Sequence, residues 1–209
     1  MSIFDGKEDY DSKEELFFSF WIDELIKAGY ISSCKYHPKP FLLSEKANYS
    51  YLKVLKTKSN DVSGFLLNPH NYQADFLINW TKKAHYIFYV ELNERKNISL
   101  FPFIAHTDFG TAWSVVDIKG TFSGPHNNSA ISFPLDQKWV YQKYKIYVQK
   151  IIPAPAVDKT GKVKNPSAIF YRTFTPKQYL LTDVSKKARK IKYTVRTLEE
   201  YIKSFNSIV

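Results

Sequence analysis

The stretch Ala112-Trp113-Ser114-Val115-Val116-Asp117-Ile118-Lys119-Gly120 is an apolar run that ends in two charged residues and a glycine. It predicts a largely buried strand over 112–119. Side chains alternate between the two faces of a strand, so Asp117 and Lys119 are expected on the same side. A carboxylate that can hold a divalent cation would then share a pocket with an ammonium that can hold a water or a phosphate. The alternative is a solvated strand end, followed by a turn at Gly120.

Length and composition predict one domain spanning residues 1–209. The chain is 44% hydrophobic and 17% aromatic, enough for a packed core, which excludes disorder throughout. It has no apolar run long enough to predict a transmembrane helix, and residues 1–9 lack the pattern of a secretory signal. Cys34 is the lone cysteine and can form no internal disulfide. Together these features predict a cytoplasmic protein.

The formal charge of the chain is strongly positive. Thirty Lys and Arg residues against twenty Asp and Glu residues give a net charge of +10. A basic surface favours a polyanionic partner, because each lysine or arginine at a phosphate releases condensed counterions. An anionic membrane surface is the competing partner. No basic amphipathic anchor is evident in the sequence, so nucleic acid is the predicted partner and no membrane association is expected.

The order of predicted elements is typical of an α/β layer fold. Capping boxes at Ser12/Glu15 and Thr197/Glu200 predict a first helix and a last one. Between them the sequence predicts these elements: an edge strand within 31–43, a strand or hairpin in an insertion at 44–70, a hairpin formed by 72–80 and 85–92, the strand at 112–119, a helix from Pro134 to about Tyr144, a strand at 145–152, and further strands at 169–174 and 178–181.

Two further acids give the Asp117 stretch its significance. Asp75 interrupts the apolar segment 72–78, and burial of a carboxylate is costly unless something compensates it. It is either a strand-end aspartate facing water or a ligand opposite Asp117 in a magnesium site. Glu15 is either a helix-capping residue or a third, outer acid, and its neighbour Glu14 could take that role. His106 and Asp108 form a weaker candidate pair, for which a structural role is favoured.

The order of these motifs resembles the PD-(D/E)xK nuclease superfamily, and more narrowly a family of small phage-encoded endonucleases. The matching pieces are Ser12-Lys13-Glu14-Glu15, Tyr72-Gln73-Ala74-Asp75-Phe76 and Val115-Val116-Asp117-Ile118-Lys119-Gly120, with a weaker match over the Lys138 helix and strand 145–152. The resemblance covers about residues 12–152 and implies a restriction-endonuclease-like αβββαβ core, with 153–209 as a C-terminal extension. Two departures are Ala74, where the family name has proline, and the long insertion at 44–70.

The resemblance implies a metal-dependent chemistry with assigned residues. Asp75, Asp117 and the backbone carbonyl of Ile118 would bind Mg²⁺, for which Mn²⁺ would substitute. Glu15 would reach the ion directly or through water, and Lys119 would orient the attacking water. Other residues are predicted to touch DNA, with a solvated surface as the alternative reading for each: Lys138 and Gln142 on one helix face, and Lys186, Lys187, Arg189 and Lys190 in a basic run.

The predicted function is a Mg²⁺-dependent DNA endonuclease, acting in the host cytoplasm if the protein is phage-encoded. Branched DNA is a candidate preferred substrate, as for a Holliday-junction resolvase, and a resolvase would be expected as a symmetric homodimer. The alternative function is a non-catalytic nucleic-acid-binding or packaging protein that keeps the fold.

Overall fold

The computed structural model describes residues 10–94, 102–120, 128–160, 162–182, 191 and 193–206. Its strands are β1 (Ile31–Tyr36), β2 (Phe41–Ser44), β3 (Ala47–Val54), β4 (Ser59–Leu67), β5 (His70–Tyr72), β6 (Phe76–Trp80), β7 (Tyr89–Glu91), β8 (Phe103–Asp108), β9 (Thr111–Ile118) and β10 (Val148–Ile151). Its α-helices are α1 (Lys13–Lys27), α2 (Asn128–Tyr144), α3 (Ile169–Arg172), α4 (Lys177–Leu180) and α5 (Leu198–Asn206). Within the described part of the chain, no helix combines the length and the apolar character that a membrane span requires.

A mixed six-stranded sheet forms the centre of the fold. Strands β1, β6 and β9 pair antiparallel in that order. The far edge of β9 is shared by two strands: β8 pairs antiparallel with its first half, and β10 pairs parallel with its second half. Strand β7 extends the sheet by parallel pairing with β8. The protein is therefore a mixed α/β fold, as predicted, and β9 is its central strand.

Helix α1 supplies much of the core that covers this sheet. The Ser12 hydroxyl caps its first turn by accepting from the Glu15 N–H at 3.2 Å. Phe18 and Trp21 are fully buried and stack on each other with ring centroids 5.6 Å apart. The Trp21 indole N–H donates to Thr173 Oγ1 at 3.1 Å, so its one polar group is satisfied. The helix is thus held against the sheet by a large aromatic cluster, with its N-terminus near the end of β9.

The register of the central strands brings the two predicted acids together. Phe76 in β6 pairs with Val116 in β9. The Asp75 N–H, one residue before β6 begins, donates to the Val116 carbonyl at 3.0 Å. Antiparallel pairing therefore sets Asp75 beside Asp117, at the same end of the sheet.

The segment predicted as an insertion at 44–70 forms a two-stranded ribbon. Strands β3 and β4 pair antiparallel from Ala47 to Val54, with a turn at 55–58. At the base of the ribbon, β2 pairs with β5 and is fixed to α2, because the Lys143 ammonium and the Tyr144 hydroxyl both donate to the Leu42 carbonyl. The hairpin alternative for this segment is the one observed.

Three sequence predictions about elements were wrong. Segments 72–80 and 85–92 form no hairpin, because β1 and β9 occupy both edges of β6 and β7 pairs with β8 instead. Helix α2 begins at Asn128, so Pro134 lies inside it rather than at its start. Residues 169–172 and 177–180 are short helices, not strands. Their apolar side chains are buried against α1, and a short apolar run alone does not distinguish a strand from a buried helix.

The predicted starts of the first and last helices were correct, and so was the end of the first helix at Ala28-Gly29. Helix α5 carries the expected reciprocal cap, in which the Thr197 N–H donates to Glu200 Oε2 at 2.8 Å and the Glu200 N–H donates to Thr197 Oγ1 at 3.2 Å. Helix α1 ends before Gly29, whose φ of 75° is the left-handed conformation that favours glycine at this position.

Candidate functional site

Asp75, Asp117 and Lys119 meet at one end of the central sheet. Asp117 is 2% exposed, and its Oδ1 accepts from the Lys119 ammonium at 2.8 Å. Asp75 Oδ2 accepts from the Ile118 backbone N–H at 2.5 Å. The alternation of side chains along β9 places Asp117 and Lys119 on one face, as the sequence predicted. Two carboxyl groups and one ammonium therefore share a single pocket.

The two acids are held in an arrangement that disfavours a negative charge on both. Burial raises the pKa of Asp75 to about 8, and the charge of Asp117 adds to the rise. The hydrogen bond from the Ile118 N–H opposes this shift, whereas the more distant charge of Glu15 reinforces it. Lys119 is the one cation that forms a described ion pair with either acid. When Asp75 and Asp117 are both ionised, the single positive charge of Lys119 therefore balances only one of their two negative charges.

Two polar atoms at this site are buried and have no hydrogen bond of normal geometry among the described residues. They are Asp117 Oδ2 and the hydroxyl of Tyr72, although that hydroxyl interacts with the Asp117 carboxylate. Burial, followed by the charge of Asp117, raises the pKa of Tyr72, so this hydroxyl remains a potential donor at neutral pH. A buried carboxylate oxygen without a well-aligned partner is costly, and a bound cation would satisfy it. The donor set, two neighbouring carboxyl groups, fits the oxygen ligands that Mg²⁺ prefers.

Glu15 lies close to this pair, but its carboxylate is already engaged. The residue is 7% exposed. Its Oε1 accepts from the Ser12 hydroxyl at 2.6 Å and its Oε2 accepts from the Tyr36 hydroxyl at 2.6 Å. Among the described residues, the one group of three potential metal ligands within 4.8 Å of one another is Asp11, Glu15 and His37. Glu15 therefore faces a different set of ligands from Asp75 and Asp117.

We expect the substitution Glu15→Gln to act mainly on stability. The amide cannot accept both hydroxyls as strongly as the carboxylate, and each such charge-assisted bond contributes about 1.5–3 kcal/mol. Unfolding in urea should show a loss of about 1–3 kcal/mol. Glu14→Gln is the matched control for stability, since the same change is made one residue away on a half-buried side chain. An unchanged free energy of unfolding in Glu15→Gln would contradict a role for these hydrogen bonds in holding the fold.

His37 reaches this second group although its position in the sequence gave no metal-type spacing. The chain turns sharply after β1, with φ of 45° at His37, and its N–H donates to the Asp75 carbonyl at 2.8 Å. The imidazole lies 3.6 Å from Asp11 Oδ2 and stacks on Tyr36. Only the fold brings the end of β1 back to the start of α1, so no local sequence signal could have identified this group.

Glu14, the alternative to Glu15, lies near the end of β9. A Cβ added at Gly120 would sit 3.3 Å from Glu14 Oε1. A glycine after Lys119 therefore permits the first turn of α1 to approach the pocket closely. The choice between Glu14 and Glu15 as an outer acid is not decided by distance alone, because Glu15 is the acid whose charge acts on Asp75.

The predicted DNA-contacting residues divide into two groups. Lys138 and Gln142 are both exposed on α2, one turn apart, as a shared helix face requires. Lys186, Lys187, Arg189 and Lys190 lie outside the described residues. The Lys119 ammonium also lies 5.7 Å from the ring centroid of Phe133, which links the pocket to α2.

His106 has the structural role that the sequence favoured. Its Nε2 accepts from the Tyr147 N–H at 2.8 Å, and its ring stacks on Trp113 at 4.8 Å. Burial lowers the pKa of this imidazole, which keeps it neutral as an acceptor. A cleft of about 490 Å³ lies beside it, lined in part by Glu91, Asn93 and Tyr141. Neither Asp75 nor Asp117 lines that cleft.

Tyr72 is a site residue that the sequence did not single out. It is the last residue of β5, three positions before Asp75, and its ring packs in a small core with Val115 and Phe133. A tyrosine in an apolar segment usually indicates core packing. The proximity of its hydroxyl to Asp117 follows from the pairing of β5 with β2, which local sequence does not encode.

No protein-family model, no curated protein and no solved structure matches this chain. The geometry of its own residues is therefore the basis for any functional conclusion.

Proposed function

We propose that this protein is a Mg²⁺-dependent DNA endonuclease. The observation that carries the proposal is that Asp75 lies beside the buried Asp117, with Lys119 as the one described ion-pair partner of the two acids. Burial of two neighbouring acids lowers stability, and a protein that only binds DNA would gain nothing from it, because a net charge of +10 attracts DNA without them. They are suited to a cation that is used in chemistry on a phosphate.

The order and pairing of the core elements support the same proposal. Helix α1 is followed by the antiparallel strands β1, β6 and β9, then by α2 and by β10 parallel to β9. This succession resembles the αβββαβ core expected of a PD-(D/E)xK nuclease, which supports the proposal. The ribbon β3–β4 and the β7–β8 pair would then be additions to that core.

Each residue of the pocket has a distinct task in this proposal. Asp75 and Asp117 would hold the cation, with the Ile118 carbonyl as the backbone ligand. Bound Mg²⁺ would polarise the scissile phosphate and acidify a water molecule. Lys119, now 2.8 Å from Asp117 Oδ1, would orient that water and offset the negative charge that grows on the phosphate. The Tyr72 hydroxyl would orient Asp117 through its free oxygen, in the manner of residues that support metal ligands.

The pH dependence of metal binding tests the pocket directly. Because Asp75 has a pKa raised to about 8 and must be ionised to bind a cation, binding near neutral pH should release a proton. Mg²⁺ or Mn²⁺ affinity should therefore rise with pH, by up to about tenfold per pH unit, and level off above about 8. Calorimetric titration in two buffers of different ionisation enthalpy measures the released proton. An affinity that is flat between pH 6 and 9 would count against these ligands.

The preferred substrate is a finer proposal. Branched DNA, cut by a symmetric homodimer, would suit a small basic nuclease, and α2 offers Lys138 and Gln142 as backbone contacts. Cleavage of a four-way junction at lower enzyme concentration than a linear duplex of the same sequence would support this choice. Equal rates on both substrates would restrict the proposal to a general endonuclease.

A further inference from the structure

The β3–β4 ribbon is exposed on both of its faces. Every residue of β3 from Asn48 to Val54 is exposed, and β4 is exposed except at Val62 and Gly64, which are half-buried. The eight residues of β3 and the nine of β4 give an arm on the order of 25 Å long, at about 3.3 Å per residue. An isolated two-stranded hairpin is at best marginally stable in water, so an arm of this length is expected to have a partner.

One face of the ribbon is flat, aromatic and free of acidic residues. Tyr49 pairs with Gly64 and Tyr51 pairs with Val62, so these side chains share a face on which Lys53 is the next residue. The two tyrosine rings stack with centroids 5.8 Å apart. A Cβ at Gly64 would lie 2.5 Å from the Tyr49 ring, so glycine is required for this ring to lie flat across the ribbon.

The charge of the arm is concentrated at its tip. Residues 46–60 contain four lysines and no acid, and Lys53, Lys56 and Lys58 lie within six positions around the turn. The opposite face carries Asp61 and the apolar residues Leu52 and Phe65. The acid-free face and the tip together therefore present positive charge and polar rings to a polyanion.

The base of the arm leads directly to the catalytic pocket. Strand β4 is followed by β5, which ends at Tyr72, and Asp75 follows three residues later. The imidazole of His70 at this base bonds Asp136 at 2.8 Å and stacks on Trp139, which fixes the arm to α2. DNA bound along the arm would therefore lie next to the pocket and to the exposed face of α2.

We infer that the β3–β4 ribbon is a DNA-binding arm that engages the duplex beside the cleaved bond. The inference rests on the proposed function, because its ligand is the DNA that the pocket would cut. A two-stranded ribbon fits the major groove, which is about 12 Å wide. Lys53, Lys56 and Lys58 would contact phosphates at the edge of that groove, while the Tyr49 face would lie toward it.

The test compares two triple variants that remove the same charge. In the arm variant Lys53, Lys56 and Lys58 are changed to Ser. In the control the exposed residues Lys27, Lys82 and Lys203 are changed to Ser; Lys27 is the last residue of α1 and Lys82 follows the end of β6, and both of these ends are the ones remote from the pocket. Binding to a 25-base-pair duplex is followed by fluorescence anisotropy in EDTA, so cleavage does not enter. Circular dichroism and thermal unfolding establish that both variants are folded.

The arm variant should bind at least about tenfold more weakly near 0.15 M salt, and the slope of log K against log salt should fall by up to about 2.7. The control should change the slope by less than one. Equal effects in both variants, or no effect in either, would overturn the inference. So would conversion of a wild-type dimer to a monomer by the arm variant in light scattering, since the arm would then bind a second copy.

This test separates the arm from the proposed chemistry. If the wild-type protein binds DNA through the arm but cleaves none with Mg²⁺, the inference stands and the endonuclease proposal fails. If the wild-type protein cleaves DNA and the arm variant binds as well as the control, the endonuclease proposal stands and the arm has another role. If the wild-type protein has no affinity for DNA, both the inference about the arm and the endonuclease proposal are wrong.

Discussion

The substitution Asp117→Asn should abolish DNA cleavage while leaving the protein folded. The amide is nearly the same size as the buried carboxyl group but supplies no charge for a divalent cation. Loss of the several kcal/mol that a metal contributes to the transition state corresponds to a fall in rate on the order of 10³-fold or more. Gel assays of plasmid and oligonucleotide cleavage measure the loss, and calorimetric titration with Mn²⁺ should show that binding at this site is lost.

The stability and DNA affinity of Asp117→Asn should not fall with its activity. Burial is the larger cause of the raised pKa of Asp75, but the substitution removes the negative charge beside it, so this pKa should fall toward its usual value and thermal stability should be equal or higher. DNA affinity in EDTA should remain within about threefold of the wild type, as the contacts in the arm and on α2 are untouched. Asp108→Asn, an exposed acid at the other end of the sheet, is the matched control. Cleavage retained by Asp117→Asn would disprove the assignment.

The substitution Lys119→Met should impair catalysis without impairing metal binding. The lysine is the described ion-pair partner of Asp117, at 2.8 Å, and in the proposed reaction its ammonium acts on the water and on the growing charge of the phosphate. Removal of one such donor costs about 10²–10³-fold in turnover. Metal affinity should be unchanged or stronger, because a positive charge beside the cation has been removed. Single-turnover cleavage together with Mn²⁺ titration distinguishes the two effects.

Lys150→Met provides the control for this second substitution. Lys150 pairs with Asp117 across the β9–β10 ladder, yet its side chain is exposed. Its loss should lower turnover by less than about threefold. If Lys119→Met cleaves DNA at the wild-type rate, Lys119 has no catalytic role and only offsets the charge of Asp117 in the folded state.

The residues of the Asp75–Asp117–Lys119 pocket could be predicted from the sequence because the patterns that mark them are local. Alternation along a strand relates Asp117 to Lys119, and an acid inside an apolar segment marks Asp75. The antiparallel ladder of β6 with β9 then brings the two together. The direction and neighbours of these strands are long-range properties, so their pairing is fixed by the whole fold and not by either segment alone.

Other features of the site depend on tertiary contacts that local patterns do not encode. The position of Glu15 near the start of a helix suggested two roles, a helix cap and an outer acid. Its hydrogen bond with Tyr36, however, depends on how β1 packs beside α1. The grouping of His37 with Asp11 has the same origin. The predicted hairpin of 72–80 with 85–92 was wrong for the same reason. The sequence indicates apolar strands but does not show that β1 and β9 pair with both edges of β6.

The charge pattern was informative about the partner but not about the surface that would bind it. A net charge of +10 predicts a polyanion without locating it. The segment 44–70 was recognisable as an insertion from its polar composition, whereas the flat, acid-free face of Tyr49 and Tyr51 becomes evident only from the register of β3 with β4. Gly64 is an example: a side chain at this position would collide with the ring of Tyr49, which lies fifteen residues earlier in the sequence.

Incubation of the wild-type protein with linear duplex, single-stranded and four-way-junction DNA, with Mg²⁺ and then with EDTA, tests the central claim most directly. We expect phosphodiester cleavage of at least one double-stranded substrate with Mg²⁺, and none once EDTA has removed the ion. Stable binding without cleavage in either condition would contradict it, and would favour a nucleic-acid-binding or packaging protein. Cleavage that persists in EDTA would equally contradict a reaction that depends on a cation at Asp75 and Asp117.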